Sequence, residues 1–367
     1  MKTLYRIVID VYDIRNRNVG LGEFSWQLAT HLAERASDLR DRYGLLLYFV
    51  VPPGYKGCFG TDVRYLVFSD WNRPFFRFYP MRVDLCHMTQ QFSRIKHMHF
   101  ARHHLMTVHD INFLYEKSGR KAARYARRFR ASLRHTDCLA YISNFTETDV
   151  ERHFAVHKPG RVIYNGVTDL SKEPATGMGS EALSRLPQSY LLHLSSLKPK
   201  KNAHLLIEMM RYLPEENLVI VGNWNGKYAQ QMKDRIAELS LHNVFPLDHV
   251  SNADKATLYR HCRGFLFPSL CEGFGLPPVE AMYFGKPVFL SRYTSLPEIG
   301  GPENCFFDNL TPEPMAETVR SGLKRFADDD TASERVRSWA KRFDWDECAD
   351  GYLRYYLDML NLDEVRE

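Results

Sequence analysis

Short apolar runs alternate with amphipathic stretches along the first half of the chain. Helical spacing of apolar positions occurs at residues 22–35 and 117–134. A further helix is predicted over 144–154, with Asn144 as N-cap and Glu147 three residues later, as in a capping box. Strand-like runs lie at residues 6–12, 45–51, 84–88, 104–110, 138–143 and 161–167. Strands alternating with helices predict a parallel sheet.

The second half repeats this alternation after a change in composition. Residues 168–187 are polar and contain Gly, Ser and Pro, which is typical of a linker. Strand-like runs follow at 190–196, 217–222, 264–269 and 286–291, with helices predicted from Asn202, over 227–240 and after Pro277. We predict an α/β chain of two Rossmann-like, doubly wound domains facing across a cleft, at 1–170 and 188–345, with a linker at 171–187. In such sheets, ligands bind outside the carboxyl ends of the strands.

Composition narrows the class of protein without changing this picture. A length of 367 residues suits two domains, and 44% hydrophobic with 25% charged residues describes a globular chain. The longest apolar run, Leu45 to Val51, is too short for a membrane helix, and the N-terminus lacks a signal-peptide pattern. Seven cysteines without a C-x-x-C pair indicate neither a disulfide framework nor a zinc cluster. We therefore expect a cytoplasmic protein.

Positive charge is concentrated in residues 117–134, which contain eight Lys or Arg and no acid. Lys117, Lys121, Arg124 and Arg128 recur at helical spacing beside an apolar stripe of Ala122, Ala126, Phe129 and Leu133. This helix has a solvated face, or it meets an anionic membrane surface or a phosphate-bearing acceptor. The second case predicts a peripheral protein on the inner membrane face. Nucleic acid is not expected, because no RNA- or DNA-reading motif is present.

Two glutamates frame the stretch "EGFGLPPVE" at residues 272–280. A strand enters this stretch, and a helix is predicted near Pro277, since Pro suits a first helical turn. The N–H groups of Gly273, Phe274, Gly275 and Leu276 are placed to hold an anion at the helix start. Glu272 and Glu280 then suit hydrogen bonds to two different parts of one polar ligand, such as its hydroxyls.

Three other segments carry candidate chemistry at predicted strand ends. The segment 193–207 brings together Lys198, Lys200 and Lys201, which can offset the charge of a diphosphate. The segment 18–28 places Gly20 and Gly22 before a helix, but Ser25 stands where a dinucleotide fingerprint has its third glycine. The segment 107–113 places His109 and Asp110 at a strand end, where a core histidine is the alternative.

These segments together resemble the retaining glycosyltransferases of family four, which have the GT-B fold and an E-x7-E motif. "EGFGLPPVEAM" and the flanking "GKPVFLSRYTSLPEIGG" are similar to that family's donor-binding region. "SSLKPKKN", "GLGEF", "VHDINFL" and "ISNFTETDV" are similar to its other elements, so the resemblance runs over nearly the whole chain. The chain departs from the family pattern at Lys200, usually arginine, and at Ser195, usually glycine.

The resemblance implies a hexosyl transfer from a nucleoside-diphosphate sugar to a glycan or lipid-linked acceptor. The second domain would bind the donor, and the first, with the returning C-terminal helix at 346–367, would bind the acceptor. Glu280 would bind the ribose, Glu272 the donor sugar, and Lys201 the departing diphosphate, with His109 beside the sugar. Donor-site residues implied beyond these are Ser196, Lys200, Gly20, Gly22, Gly273, Phe274, Gly275 and Leu276.

The motif sequences resemble those of mannosyltransferases that act in bacterial surface polysaccharide assembly. GDP-mannose is therefore the favoured donor, and UDP-sugars come next. No cofactor is expected, nor a metal, because the D-x-D patterns at 328–330 and 344–346 lie far from the predicted site. The alternatives are a GT-B epimerase or phosphorylase, a non-catalytic sugar-nucleotide-binding protein, and a nucleic-acid binder with salt-dependent affinity.

Overall fold

A computed structural model describes residues 3–17, 20–95, 98–174, 178 and 183–362. The chain divides into two compact units: the first comprises Met1–Gly166 and Trp345–Glu367, the second Val167–Asp344. Asn18 and Val19, the linker residues 175–177 and 179–182, and the last five residues of the predicted C-terminal helix lie outside the described part. Among the described residues, no helix is both long and apolar enough to cross a membrane.

The first unit is built on a seven-stranded parallel sheet with the order β3-β2-β1-β4-β5-β6-β7. Ile7, Val8 and Ile9 in β1 are fully buried, as expected for a strand covered on both faces. The strands are β1 (Tyr5–Asp10), β2 (Leu45–Val51), β3 (Arg64–Val67), β4 (Val83–Met88), β5 (Ala101–Val108), β6 (Cys138–Tyr141) and β7 (Gly160–Val162).

Helices cover both faces of this sheet. The C-terminal helix packs on the face that carries Leu85, and its Tyr352 and Tyr356 are fully buried there. The helices of the first unit are α1 (Gly20–Glu34), α2 (Ala36–Tyr43), α3 (Arg73–Phe76), α4 (Phe113–Glu116), α5 (Gly119–Leu133) and α6 (Asn144–Phe154). A 3-10 helix spans Tyr12–Asn16.

The second unit repeats the architecture with a six-stranded parallel sheet in the order β10-β9-β8-β11-β12-β13. Strand order reverses beside the first strand of each unit, as in doubly wound folds. The strands are β8 (Tyr190–Leu194), β9 (Leu218–Val221), β10 (Val244–Leu247), β11 (Cys262–Phe267), β12 (Val288–Ser291) and β13 (Cys305–Phe307).

The second unit's helices are α7 (Ala203–Met209), α8 (Lys227–Glu238), α9 (Asn252–His261), α10 (Leu276–Tyr283), α11 (Leu296–Gly300), α12 (Pro312–Ala327) and α13 (Ala332–Ala340), followed by α14 (Trp345–Met359) of the first unit. Short 3-10 helices span Leu170–Lys172, Pro199–Lys201, Met210–Tyr212 and Lys341–Phe343. The predicted α/β class with two parallel Rossmann-like sheets is confirmed.

Three details of the sequence-based prediction are wrong or incomplete. The N-cap of α6 is Ser143, not Asn144, because the Ser143 hydroxyl accepts from the N–H of Thr146 at 3.1 Å. The first helix begins at Gly20 rather than at residue 22. Edge strands β3, β10 and β13 were not predicted, since they are short and only partly buried.

Candidate active site

Lys201 and Glu272 form an ion pair in the second unit, at the carboxyl ends of β8 and β11. Each side chain is only 13% exposed, so neither is an ordinary solvated surface group. The Lys201 ammonium also lies 5.1 Å from the centre of the Phe267 ring. The loop that carries Lys201 and the loop that carries Glu272 therefore lie side by side.

Backbone contacts hold these two loops together. The N–H of Leu270 donates to the carbonyl of Lys200 at 2.8 Å, and the Asn202 amide donates to the carbonyl of Pro268 at 3.0 Å. Asn202 adopts a left-handed conformation with φ of 54°, which asparagine tolerates better than most residues. The chain thereby turns sharply and presents Lys201 toward Glu272. The Lys200 side chain is half-buried, and Ser196 is exposed on the same loop.

Glu280 makes a second, separate pair on helix α10. Its carboxylate accepts from the Lys255 ammonium at 2.6 Å and from the Tyr259 hydroxyl at 2.8 Å, both from α9. The Glu280 side chain is 13% exposed. Burial, with the charge of Glu280 beside it, raises the pKa of Tyr259 well above its usual value, so its hydroxyl remains a donor. Glu272 and Glu280 are therefore paired with different cations and belong to separate hydrogen-bond networks.

The turn between the glutamates is shaped by its glycines and by helix α11. Gly275 has φ of 116°, which favours glycine, and a Cβ there would lie 3.0 Å from Leu296. The Ser295 hydroxyl donates to the carbonyl of Phe274 at 2.8 Å, and the N–H of Glu272 donates to the Thr294 hydroxyl at 3.0 Å. The Phe274 ring is buried, so what this residue offers a ligand is its backbone. Leu276 then begins α10.

His193 is a site-supporting residue that sequence reasoning missed. It is buried in β8, and its imidazole contacts the Leu266 carbonyl at 2.8 Å and the Ser195 hydroxyl at 2.9 Å. Burial lowers the pKa of His193 to about 4, which keeps the ring neutral. Ser195 also accepts from the N–H of Leu197. Ser195, which replaces the usual glycine, thus orders the turn before Lys201. The polar residues in "HLSS" at the end of β8 were the sequence signal that could have identified His193.

In the first unit, His109 follows β5 and is buried against helix α1. Its Nε2 lies 2.9 Å from the Thr89 carbonyl, its backbone N–H donates to Gln91, and its ring packs edge-on against Phe24. Burial lowers the pKa of His109 to about 4. The hydrogen bond to Thr89 requires the proton on Nε2, so a neutral ring is held in one tautomer. Asp110, beside it, caps the turn by accepting from the N–H of Asn112 at 2.9 Å.

Gly20 and Gly22 lie in the first turn of α1, where they differ in surroundings. A Cβ at Gly22 would overlap the carbonyl oxygen of Asn16, so packing of α1 on the 3-10 helix requires glycine here. Gly20 is exposed, and among the described residues nothing lies within 4 Å of a Cβ position there. Close packing therefore accounts for the glycine at position 22 but not for the glycine at position 20.

Polar side chains that the sequence did not single out lie at the same carboxyl edge of the first sheet. Asp10 is buried at the end of β1, where it accepts from the Ser93 hydroxyl and from the N–H of Tyr12. Burial raises the pKa of Asp10 to about 6. Gln90 donates to Asp13 nearby. The sequence signal for Asp10 was "VID" at the end of an apolar strand. An acid at the end of a strand is common, so this pattern alone did not identify Asp10 as a candidate.

Among the described residues, no group of three or more His, Cys, Asp or Glu is arranged to hold a metal ion. The carboxylate of Asp329, in one of the two D-x-D patterns, instead accepts from Arg335 and Thr331 on the surface.

Residues 181–342 match the sequence model of the family described as Glycosyl transferases group 1. The match covers most of the second unit and contains both lysine–glutamate pairs.

Several curated relatives are named mannosyltransferases, and each of them matches this chain over only part of its length. The serotype-specific mannosyltransferase WbdA of Escherichia coli is 33% identical over 146 residues, covering 38% of this chain and 18% of WbdA. O-antigen chain mannosyltransferase B of Escherichia coli is 27% identical over 234 residues, covering 59% of this chain and 60% of that protein. The chain thus spans about a fifth of WbdA.

Solved structures share the fold over nearly the whole chain. A glycosyltransferase from Rickettsia africae superposes with a TM-score of 0.72 and 16% identity, covering 98% of this chain and all of that one. HepE from Anabaena, in complex with UDP-glucose, superposes with a TM-score of 0.71 and 19% identity, covering 96% of this chain and 99% of the HepE chain. At these identities the likeness shows the two-domain GT-B fold alone.

Proposed function

We propose that this protein is a retaining, metal-independent hexosyltransferase that uses a nucleoside-diphosphate sugar. The observation that carries the proposal is the pair of shielded glutamates, Glu272 and Glu280, each held by its own lysine in a glycosyl transferases group 1 domain. The acceptor we propose is a glycan or lipid-linked glycan of cell-surface polysaccharide biosynthesis, because O-antigen mannosyltransferases are among the relatives.

The donor site is proposed to divide among three groups of atoms. Glu280 accepts from the ribose hydroxyls, and Glu272 accepts from hydroxyls of the sugar. The backbone N–H groups at the turn 273–276 and the cations of Lys200 and Lys201 face the diphosphate, with Ser196 at its edge. Lysine at position 200 keeps the positive charge of the usual arginine but loses its bidentate geometry.

The proposed chemistry needs no catalytic base from the protein. The bond from the anomeric carbon to the phosphate oxygen breaks while a bond to the acceptor oxygen forms on the same face. The acceptor's proton passes to the departing phosphate oxygen, and Lys201 offsets the charge that develops there. A preorganised donor of this kind contributes about 2.7–4 kcal/mol to lowering the barrier.

His109, Gly20 and Gly22 of the first unit are also proposed to contact the donor. A neutral His109, held by Thr89, offers its ring edge to a sugar without adding charge. Gly20 is proposed to lie near the diphosphate because it is exposed in the first turn of α1, where helix N–H groups favour an anion.

GDP-mannose is the donor we favour, since several curated relatives are named mannosyltransferases. A UDP-sugar is second, supported by the UDP-glucose complex of the structurally similar HepE. The basic helix α5 is proposed to meet an anionic membrane surface or a phosphate-bearing acceptor, which agrees with a cytoplasmic protein that is peripheral on the inner membrane face.

The test is a donor panel with GDP-mannose, UDP-glucose and UDP-N-acetylglucosamine, assayed by thermal shift and then by hydrolysis. We expect stabilisation and slow release of nucleoside diphosphate with one of them, unchanged by EDTA, and loss of both in Glu280→Gln. Glu313→Gln, an exposed glutamate at the start of α12, is the matched control. Binding without turnover on any acceptor would indicate a non-catalytic protein, and absence of binding to all three would contradict the proposal.

A further inference from the structure

The segment that joins β3 to β4, residues 69–82, leaves large aromatic side chains in water. Trp71 is 82% exposed and Phe75 is 71% exposed. Trp71 lies two residues before helix α3, and Phe75 lies within that helix. The exposed aromatic residues of this part of the unit are Trp71, Phe75, Phe78, Tyr79 and Phe100. Exposed apolar patches of this kind mark interaction surfaces in soluble proteins.

Ring contacts connect the end of this segment to the start of β5. His99 packs against Phe78 at 5.6 Å and against Phe100 at 5.3 Å between ring centres, and its N–H donates to the Arg77 carbonyl at 2.7 Å. The Arg77 guanidinium lies 4.6 Å from the centre of the Phe78 ring. Phe78, His99 and Phe100 thus form one aromatic cluster at the end of this segment.

The surrounding charge is mostly positive. Residues 69–103 contain six Lys or Arg and two acids, Asp70 and Asp84. Asp70 is paired with Arg94. The Asp84 carboxylate accepts from the backbone N–H of Arg6 inside the sheet at 2.8 Å. Arg73 and Arg77 are exposed within the aromatic segment itself. A partner for this surface must therefore accept aromatic rings and also attract cations.

The aromatic segment and the basic helix α5 cover the same face of the first sheet. Successive strand residues point to opposite faces. In β4, Leu85 faces the core shared with α14, whereas Cys86 packs with Phe76 of the aromatic segment and Met88 with Phe129 of α5.

Side-chain contacts also join the two regions along that face. The Arg128 guanidinium of α5 lies 5.1 Å from the centre of the Phe92 ring. Two residues later, Arg94 pairs with Asp70 at 3.1 Å, immediately before Trp71. α5 adds exposed cations to the surface: Arg120, Lys121, Arg124, Arg127, Arg128, Arg130 and Arg134.

We propose that this aromatic–basic face docks on an anionic lipid bilayer, with Trp71 and Phe75 inserted at the level of the headgroups. Aromatic rings with a polar edge favour the membrane–water interface, and clustered Arg and Lys attract anionic lipid headgroups. A second copy of the chain is a poorer occupant, because apposed arginines repel each other. The inference rests on the first unit alone and does not depend on sugar transfer by the second.

The test uses the full chain with vesicles of phosphatidylcholine, with and without phosphatidylglycerol. We expect sedimentation with the anionic vesicles only, and weakening of that binding by salt. Trp71→Ala/Phe75→Ala should lower the partition coefficient about a hundredfold, because each of the two inserted rings contributes about one factor of ten. Tyr212→Ala, an exposed aromatic in the second unit, is the control and should bind as wild type.

A second pair of variants tests the charge. Arg73→Gln/Arg77→Gln should lower binding to anionic vesicles, whereas Lys227→Gln/Lys233→Gln on α8 should not. Brominated lipid should quench part of the tryptophan fluorescence of the wild type, and Trp71→Phe should remove that part while keeping most of the binding. Equal binding by the wild type and the Trp71→Ala/Phe75→Ala variant would overturn the proposal. So would concentration-dependent self-association that these substitutions abolish without any effect on vesicle binding.

Discussion

At the scale of single residues, the candidate site depends on which cation meets which carboxylate. Lys201 reaches Glu272 across 71 positions of sequence, and Lys255 reaches Glu280 across 25. Both pairs are largely shielded from water, where removing one partner leaves an uncompensated charge. Substitutions here therefore affect stability as well as function, and the two effects have to be separated.

Lys201→Met should lower turnover by roughly 10²–10³, because a cation aimed at the leaving diphosphate is lost. It should also lower the melting temperature, since Glu272 becomes unpaired. Lys201→Met/Glu272→Gln should regain stability relative to Lys201→Met but not regain turnover. Lys324→Met, which changes an exposed lysine on α12 outside the candidate site, is the control. Near-normal turnover in a folded Lys201→Met protein would contradict the assigned role.

Tyr259→Phe should weaken nucleotide binding and reduce stability by about 1.5–3 kcal/mol, because Glu280 loses a charge-assisted donor. Tyr190→Phe removes a comparably buried hydroxyl that donates to the Leu258 carbonyl at 3.1 Å. This control substitution should lower the free energy of unfolding by about 0.5–1.5 kcal/mol and leave the nucleotide affinity unchanged. Calorimetric titration with the nucleoside diphosphate distinguishes the two. Equal affinities in both variants would mean that Glu280 does not contact the nucleotide.

At the scale of elements, a buried polar chain joins two strands of the first sheet to α14. The His87 ring contacts the Tyr356 hydroxyl at 2.7 Å and the Thr107 hydroxyl at 2.8 Å, and Thr107 contacts Tyr352 at 2.8 Å. Every ring nitrogen of His87 is thereby satisfied in a fully buried site. Burial, with His109 nearby, lowers the pKa of His87 to about 3.

This histidine should make stability depend on pH. Below about pH 6.5 the unfolded chain protonates the ring, while the folded protein stays neutral until about pH 3. The unfolded state then binds more protons, so the free energy of unfolding falls as pH decreases through this window, by up to about 1.4 kcal/mol per pH unit. His87→Gln should show a shallower slope than wild type in urea denaturation between pH 6.5 and 4.5. Comparing slopes cancels the opposite trend from Asp10, whose raised pKa favours the folded state at lower pH.

At the scale of the whole molecule, the chain returns to its first unit after completing the second. Trp345, Tyr352 and Tyr356 of α14 enter the core that also holds residues of β1, β2 and α1. Gly166 lies against Trp345, where a Cβ would collide with the indole. The last helix is therefore part of the first unit's core although it is distant in sequence.

Truncation after residue 344 should destabilise the first unit and leave the second largely intact, because only the first loses buried side chains. Hydrogen exchange resolves the two: protection should fall in β1 and β4 and persist in β8 and β11. Truncation after residue 362, which keeps α14, is the control. Unchanged protection of β1 in the shorter protein would contradict the prediction.

The local pattern was sufficient for the central strands, for most of the helices that follow them, and for the segments that carry Lys201, Glu272 and Glu280. Buried parallel strands and amphipathic helices leave strong periodic signals, and a Gly-Phe-Gly turn before two prolines has few conformations. The edge strands β3, β10 and β13 were missed because they are short and only partly buried. The N-cap of α6 was misplaced by one residue because Ser143 and Asn144 both suit that position.

The sequence by itself therefore determined the fold class and the chemical character of the candidate site. Only the tertiary structure decided that Lys201 pairs with Glu272 and Lys255 with Glu280, that His193 supports the turn at Ser195, and that His87 links to α14. It also decided that Trp71 and Phe75 stay in water on the face that carries α5. Spacing along the chain fixes which side of its own element a residue occupies, whereas strand order and helix packing determine which distant side chains it meets.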